Sequence, residues 1–291
     1  MEKGKKDYQG IKIPIALIYL LRFLNAIHPY LGMRLAVFFF SKPIKYKRPN
    51  RETPVFIQAK KFFFQSKSLN KRVNCYRWEG KGPKIILVHG WSSRATNFYK
   101  IIEKLIFLGY DVYAFDAPAH GESKGVTTNL LQFICVLEEL IEEWGPIEAL
   151  LGHSGGGFAS AYVAAHNPKI KKLILISPFD KVSEIFETFF NMIALQKEAQ
   201  RLMLDYFSQN TKKKVDDLSS SIFAQSIQAS TLIIHDKNDK EVAFSDSVKI
   251  DQNLQYSLLW ITEGLGHRRI LREEKVVENI GAFLERNRLD F

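Results

Sequence analysis
Disulfides, metal sites and membrane spans are all poorly provided for in this chain, and each shortage removes a class of function. Only two of the 291 residues are cysteines, Cys75 and Cys135. Two are too few for a disulfide framework and suit a reducing, cytoplasmic compartment. No C-x-x-C or H-E-x-x-H spacing occurs, so no metal is implied. No glycine-rich phosphate loop stands apart from the serine motif described below, and no cofactor is implied. A membrane span needs about 20 residues with few charges. Arg22, the His28-Pro29 pair and Arg34 break the apolar stretch near the N-terminus before it reaches that length.

Charge of one sign is also scarce over most of the chain. The formal net charge is +10, with 41 basic and 31 acidic residues. Residues 1–51 hold eleven of the basic groups against Glu2 and Asp7, leaving thirty basic and twenty-nine acidic groups in the other 240 residues. A nucleic-acid partner requires a basic face on the folded body, and this count speaks against one. Basicity belongs to the N-terminal arm. Residues 13–27 carry only Arg22 and Asn25 as strongly polar groups, and residues 35–40 are wholly apolar. Lys3, Lys5, Lys6 and Lys12 precede these segments; Lys42, Lys45, Lys47, Arg48 and Arg51 follow them. Arg22, and the lack of a small-residue cleavage site after Asn25, argue against a signal peptide. Two readings of the arm stay open: helices packed on the body, or a peripheral contact with an anionic membrane surface.

What the chain does possess is a nucleophile motif. Gly152, His153, Ser154, Gly155 and Gly156 read G-x-S-x-G directly after the strand-like run 147–151, and a helix with a small-residue face follows. On such a turn the serine Oγ projects from a strand end, and the helix N-terminus behind it can stabilise developing negative charge. A serine hydroxyl is a poor nucleophile until a base takes its proton, and that base needs a carboxylate to fix its tautomer. Both follow in the chain. The strand-like run 230–235 leads into Asp236 and Asp239, and the run 255–262 leads into Gly264, Gly266 and His267.

On these residues the chain resembles the α/β-hydrolase superfamily, in its esterase, lipase and serine-aminopeptidase-like branch. The resemblance covers residues 70–285. It rests on His89-Gly90-Trp91, the segment from Asp116 to Ser123, the Ser154 elbow, Asp239 with Val242, and Gly266-His267. It implies Ser154 as nucleophile, His267 as general base and Asp239 as orienting acid, with the backbone N–H groups of Trp91 and Gly155 as the oxyanion hole. Two positions depart from the family pattern. Asp236 stands where glycine is common, leaving a second carboxylate beside Asp239, and Ala119 stands where the family usually has glycine. Dehalogenases and epoxide hydrolases of this fold carry aspartate at the elbow, so Ser154 disfavours them.

The expected architecture is an α/β-hydrolase fold, with a mostly parallel sheet flanked by helices. Strands are expected at 72–78, 84–89, 110–116, 147–153, 172–177, 231–236 and 256–262, with an edge strand at 60–65. Helices are expected at 97–108, 129–144, 156–166, 245–252 and 273–286. Residues 179–229 interrupt the alternation and read as two or three amphipathic helices rich in Phe and Met, like the cap of many α/β hydrolases. The domain reading is an N-terminal arm (1–51), a core in two parts (52–178 and 230–291) and the cap (179–229). The other histidines, His28, His89, His120, His153, His166 and His235, have structural explanations, and the turn is expected to aim His153 away from the base. The expected activity is carboxylesterase-like hydrolysis of an ester, thioester or amide through an acyl-serine, on a small-molecule substrate with an apolar portion. The alternatives are acyl transfer from the same intermediate and a catalytically inactive binding module.

Overall fold
Runs dominated by Ile, Leu and Val become strands here because helices cover both faces of the sheet they enter, so no polar alternation is needed. In the computed structural model, which describes residues 15–286, the strands are β1 (Lys60–Ser66), β2 (Lys71–Trp78), β3 (Lys84–Val88), β4 (Asp111–Asp116), β5 (Ala149–His153), β6 (Lys172–Ile176), β7 (Ser230–Asp236) and β8 (Ser257–Thr262), with the Ile-, Leu- and Val-rich ones at the centre of the sheet. Every residue of β4, β5 and β7 is buried. The sheet order is β1-β2-β4-β3-β5-β6-β7-β8. The pairs β1–β2 and β2–β4 are antiparallel and all the others are parallel. All eight expected strands form.

The helices are α1 (Ile15–Ile27), α2 (Pro29–Phe40), α3 (Thr53–Gln58), α4 (Tyr99–Phe107), α5 (Leu130–Trp144), α6 (Gly155–His166), α7 (Val182–Ile193), α8 (Lys197–Thr211), α9 (Ser220–Ala224), α10 (Phe244–Asp251), α11 (Gly266–Arg269) and α12 (Glu274–Glu285). Asn129 starts α5 by accepting a hydrogen bond from the Gln132 N–H at 3.0 Å, which satisfies one of the free donors of the first turn. The sheet and its helices share a core that includes Ile85, Leu87, Phe98, Ile101, Leu151, Ile176, Ile234 and Val276.

The described residues fall into two compact units. One contains residues 43–180 and 220–286, and therefore the whole sheet. Its first residues, 43–51, are tied to it by the Ile44 N–H on Ser92 Oγ at 2.9 Å, Lys45 on the Ser123 carbonyl at 2.8 Å and Arg48 on Glu122 at 2.9 Å.

The other unit joins residues 15–42 to residues 181–219, an insertion between β6 and β7. An antiparallel bridge between Lys181 and Ser219 closes the base of that insertion. Within this unit the Phe40 ring of α2 packs on Phe186, Phe189 and Phe207 of α7 and α8, at centroid distances of 4.5, 5.0 and 5.7 Å. Phe186, Phe190 and Phe207 are buried. Packing inside this unit accounts for much of the aromatic richness of the insertion.

Candidate active site
Parallel strands bring their carboxyl ends to one edge of the sheet, where α/β folds hold ligands. The register is Val88 opposite Gly152, His153 opposite Ile176, Ile176 opposite Ile234, and Asp236 opposite Thr262. The residues that follow β3, β5, β7 and β8 therefore emerge side by side. These are the residues the sequence singles out.

Ser154 joins β5 to α6 with φ 53° and ψ −120°, a left-handed conformation that side chains other than glycine rarely adopt. Its N–H bonds the Ile176 carbonyl at 2.9 Å, and its own carbonyl accepts from the Phe158 N–H at 3.0 Å. The turn is this tight because its glycines lack a Cβ. One built on Gly156 would lie 2.0 Å from the Val88 carbonyl oxygen, and one on Gly152 would lie 2.4 Å from the Gly156 carbonyl oxygen. Ala119 also adopts positive φ, at 65°, a conformation that glycine takes at less cost.

The loop after β3 is held by histidines. His89 Nε2 accepts from the Ala117 N–H at 3.0 Å, so its Nδ1 donates to the Gly90 carbonyl at 2.7 Å. His120 Nε2 accepts from the Ser92 N–H at 3.0 Å, and its Nδ1 lies 3.1 Å from the Pro118 carbonyl oxygen. Burial holds the His89 ring below the ordinary histidine range, and burial together with the neighbouring His89 pushes His120 down to about 2. Two neutral rings thus fix the backbone on either side of Trp91. The Trp91 side chain stacks on Phe133 at 6.3 Å. A Cβ built on Gly155 would lie 3.7 Å from the Trp91 nitrogen, so the two backbone segments expected to form an oxyanion hole adjoin.

Asp239 and His267 meet. Asp239 Oδ2 is 2.7 Å from His267 Nδ1, and Oδ1 accepts from the Glu241 and Val242 N–H groups at 2.8 and 2.9 Å. Burial pushes the Asp239 carboxyl up, but hydrogen bonds from His235 and His267 outweigh it and hold the group well below the usual carboxylate range. An ionised Asp239 requires Nδ1 of His267 to carry the proton, which leaves Nε2 as the basic nitrogen.

Asp236 is turned to another task. Its Oδ2 accepts from Thr262 Oγ1 and the Leu265 N–H, both at 2.9 Å, and its Oδ1 from the Asn238 N–H at 3.0 Å. It clamps the loop that carries His267. Burial raises its pKa, and the backbone N–H groups of Leu265 and Gly266 with the Thr262 hydroxyl more than reverse that, so it too is ionised.

Two further histidines belong to this constellation. His153 was expected to point away from the base, and the structure corrects that. Its Nε2 is 2.9 Å from the His267 carbonyl oxygen, and the two rings lie 4.6 Å apart. Burial, reinforced by the nearby His267 ring, keeps His153 well below the ordinary histidine range, so the ring is neutral and its one N–H is the Nε2 donor. His235, read as structural, places Nε2 3.3 Å from Asp239 Oδ2 and 3.3 Å from the Val242 carbonyl, with Nδ1 2.6 Å from Ser247 Oγ. Two acceptors at Nε2 put the proton there, and Ser247 then donates to Nδ1. The only sequence signal for either residue is its place at a strand end beside a site residue. Among the described residues no group of three or more His, Cys, Asp or Glu is arranged to hold a metal ion.

Comparison with known proteins follows the same lines. The family model described as alpha/beta hydrolase fold matches residues 83–255. A pimeloyl-[acyl-carrier protein] methyl ester esterase of Stenotrophomonas maltophilia is 31% identical over 99 residues, which are 34% of this chain and 37% of that protein. The chain thus matches well under half the length of that curated relative. Among solved structures, an esterase of Pyrococcus furiosus superposes with TM-score 0.66 at 19% identity, covering 85% of this chain and 99% of that one. A membrane phospholipase A described as a bacterial virulence factor gives 0.62 at 17% identity, covering 93% and 96%. Likeness at that identity speaks for the fold.

Proposed function
This chain belongs to the alpha/beta hydrolase fold family, and from that premise we propose that it is a cofactor-independent serine hydrolase that cleaves a carboxylic ester through an acyl-serine intermediate. The observation that carries the reading is the 2.7 Å contact between Asp239 Oδ2 and His267 Nδ1, at the strand edge from which Ser154 projects.

In this mechanism His267 Nε2 takes the proton of Ser154 Oγ as that oxygen attacks the substrate carbonyl carbon. The ionised Asp239 fixes the tautomer and stabilises the imidazolium that forms. Negative charge moves onto the carbonyl oxygen, where the Trp91 and Gly155 N–H groups receive it at the start of α6. Collapse of the tetrahedral intermediate expels the alkoxide, which leaves with the proton from His267. A water then gives its proton to His267, attacks the acyl-serine, and the acid departs with Ser154 restored. The methyl ester named for the curated relative favours an ester over a thioester or amide.

Covalent labelling tests the assignment. A fluorophosphonate probe is expected to modify wild type once, at Ser154, and to leave Ser154→Ala unmodified. An inert wild type, or a Ser154→Ala protein labelled equally well, overturns it.

A further inference from the structure
The hairpin of α1 and α2 buries Leu21, Met33 and Ala36, yet it also keeps large apolar groups on its outer face. Among the described side chains of α1, Leu21, 1% exposed, and Asn25, 2% exposed, are buried. Neither the oxygen nor the nitrogen of the Asn25 amide has a hydrogen-bond partner. The amide lies against Gly32 of α2, so close that a Cβ there would fall 1.9 Å from Oδ1. The outer face carries what a helix in water buries. Tyr19, Phe23 and Ile27 are 64%, 62% and 62% exposed and follow one another at four-residue spacing, with Leu20 beside them. The stripe continues across the turn through Tyr30, Leu31 and Phe38. A polar residue and a small residue at the helix contact, with large apolar groups outside, is how helices pack when their surroundings are lipid.

The charge on the hairpin has one sign. Residues 8–51 contain no Asp or Glu, while Arg22, Arg34 and Lys42 are exposed on or beside these helices. Among the described residues no helix is long and apolar enough to cross a membrane. The 12 residues of α2 make a helix about 18 Å long, short of the roughly 30 Å hydrocarbon core, and Arg22 interrupts the 13 described residues of α1. Exposed rings with flanking guanidinium and ammonium groups suit a helix pair lying in the interface, rings among the acyl chains and cations at the phosphates.

We propose that the α1–α2 hairpin is a docking surface for an anionic lipid bilayer, with Tyr19, Leu20, Phe23, Ile27 and Leu31 as the inserted face. This holds whatever reaction Ser154 performs, since no residue of the candidate active site takes part. A second copy of the chain is the competing occupant of the same face.

The full-length protein is to be sedimented with vesicles of phosphatidylcholine alone, and with vesicles containing 30% phosphatidylglycerol. Binding to the anionic vesicles is expected, at least tenfold weaker on neutral ones and weakened by 0.5 M salt. Phe23→Glu with Ile27→Glu and Leu31→Glu is expected to abolish binding. Because those side chains are already exposed, the variant should keep the wild-type circular dichroism, melting temperature and turnover of a soluble short-chain ester. Failure of wild type to bind anionic vesicles overturns the proposal. So does a vesicle-free wild-type dimer that the triple variant converts to monomer, coupled with vesicle binding unchanged by the variant.

Discussion
His153 Nε2 donates to the backbone carbonyl oxygen of His267 across 2.9 Å, joining the residue before the proposed nucleophile to the proposed general base 114 positions later. The bond ties down the loop whose imidazole takes the Ser154 proton in the proposed mechanism. His153→Phe keeps a ring of similar size and removes the donor. A neutral hydrogen bond contributes about 1 kcal/mol net, so a modest fall in stability is expected. The expected kinetic effect is a tenfold or larger loss in kcat with KM little changed, read on an activated ester. Unchanged kcat would make this contact structural only.

The two neighbouring carboxylates should separate kinetically. Asp239→Asn removes the acceptor that fixes the His267 tautomer, and turnover should fall by up to about 10⁴ with the fold intact. Asp236→Asn leaves the 2.7 Å contact between Asp239 and His267 in place and weakens the clamp on Thr262 and Leu265. Its expected signature is a lower melting temperature with a much smaller kinetic loss. The reverse ranking in steady-state kinetics would move the orienting role to Asp236.

His235 adds a second donor to Asp239 Oδ2 at 3.3 Å. His235→Phe should leave the carboxylate less stabilised, so the kinetic defect should deepen on the acidic side of the pH profile. A uniform fall at all pH values would assign His235 to packing alone.

Stability should drop as pH falls below about 6.5, the pKa of an unfolded histidine. His89, His120 and His153 are held neutral by burial, their folded pKa values lying below the unfolded one. The unfolded chain therefore binds more protons in that window, and a ring that stays neutral in the fold costs up to about 1.4 kcal/mol per pH unit. The slope between pH 6 and pH 5 grows with each of these rings that stays neutral in the fold. Asp239 adds to the loss below about pH 4, because its stabilisation is present above the unfolded carboxylate pKa and disappears as the folded group is protonated. Urea titrations at pH 7, 6 and 5 measure the slope, and His153→Phe should reduce it.

Gly156→Ala should damage the fold where Gly264→Ala does not. The new Cβ would sit 2.0 Å from the Val88 carbonyl oxygen and 2.5 Å from that of His89, both rigid backbone. A loss of about 3 kcal/mol or more is expected, a fall of about 6 °C or more in melting temperature. Gly264 has φ 83° and nothing within 4 Å of its Cβ position, so only left-handed strain of about 1–2 kcal/mol applies. Thermal melts of the two variants compare these costs.

Much of this protein was legible along the chain because the signals concerned are local. A strand buried along its length, such as β5 or β7, shows as an apolar run, and all eight expected strands formed. The G-x-S-x-G turn announces itself because Gly152 and Gly156 have no room for a Cβ. The order Ser154, Asp239, His267 needed only reading forward. Tertiary structure alone decided which way strand-end side chains turn and which distant segments meet. His235 meets Asp239 only four residues further on, within the turn after β7, whereas His153 reaches His267 because parallel strands carry those ends to one edge, and no spacing in the sequence encodes that adjacency. The same is true of Phe40, whose ring packs on Phe186 almost 150 residues away, joining the N-terminal helices to the insertion after β6. Such contacts depend on chain segments brought together only by folding, and a linear pattern carries no record of its partner.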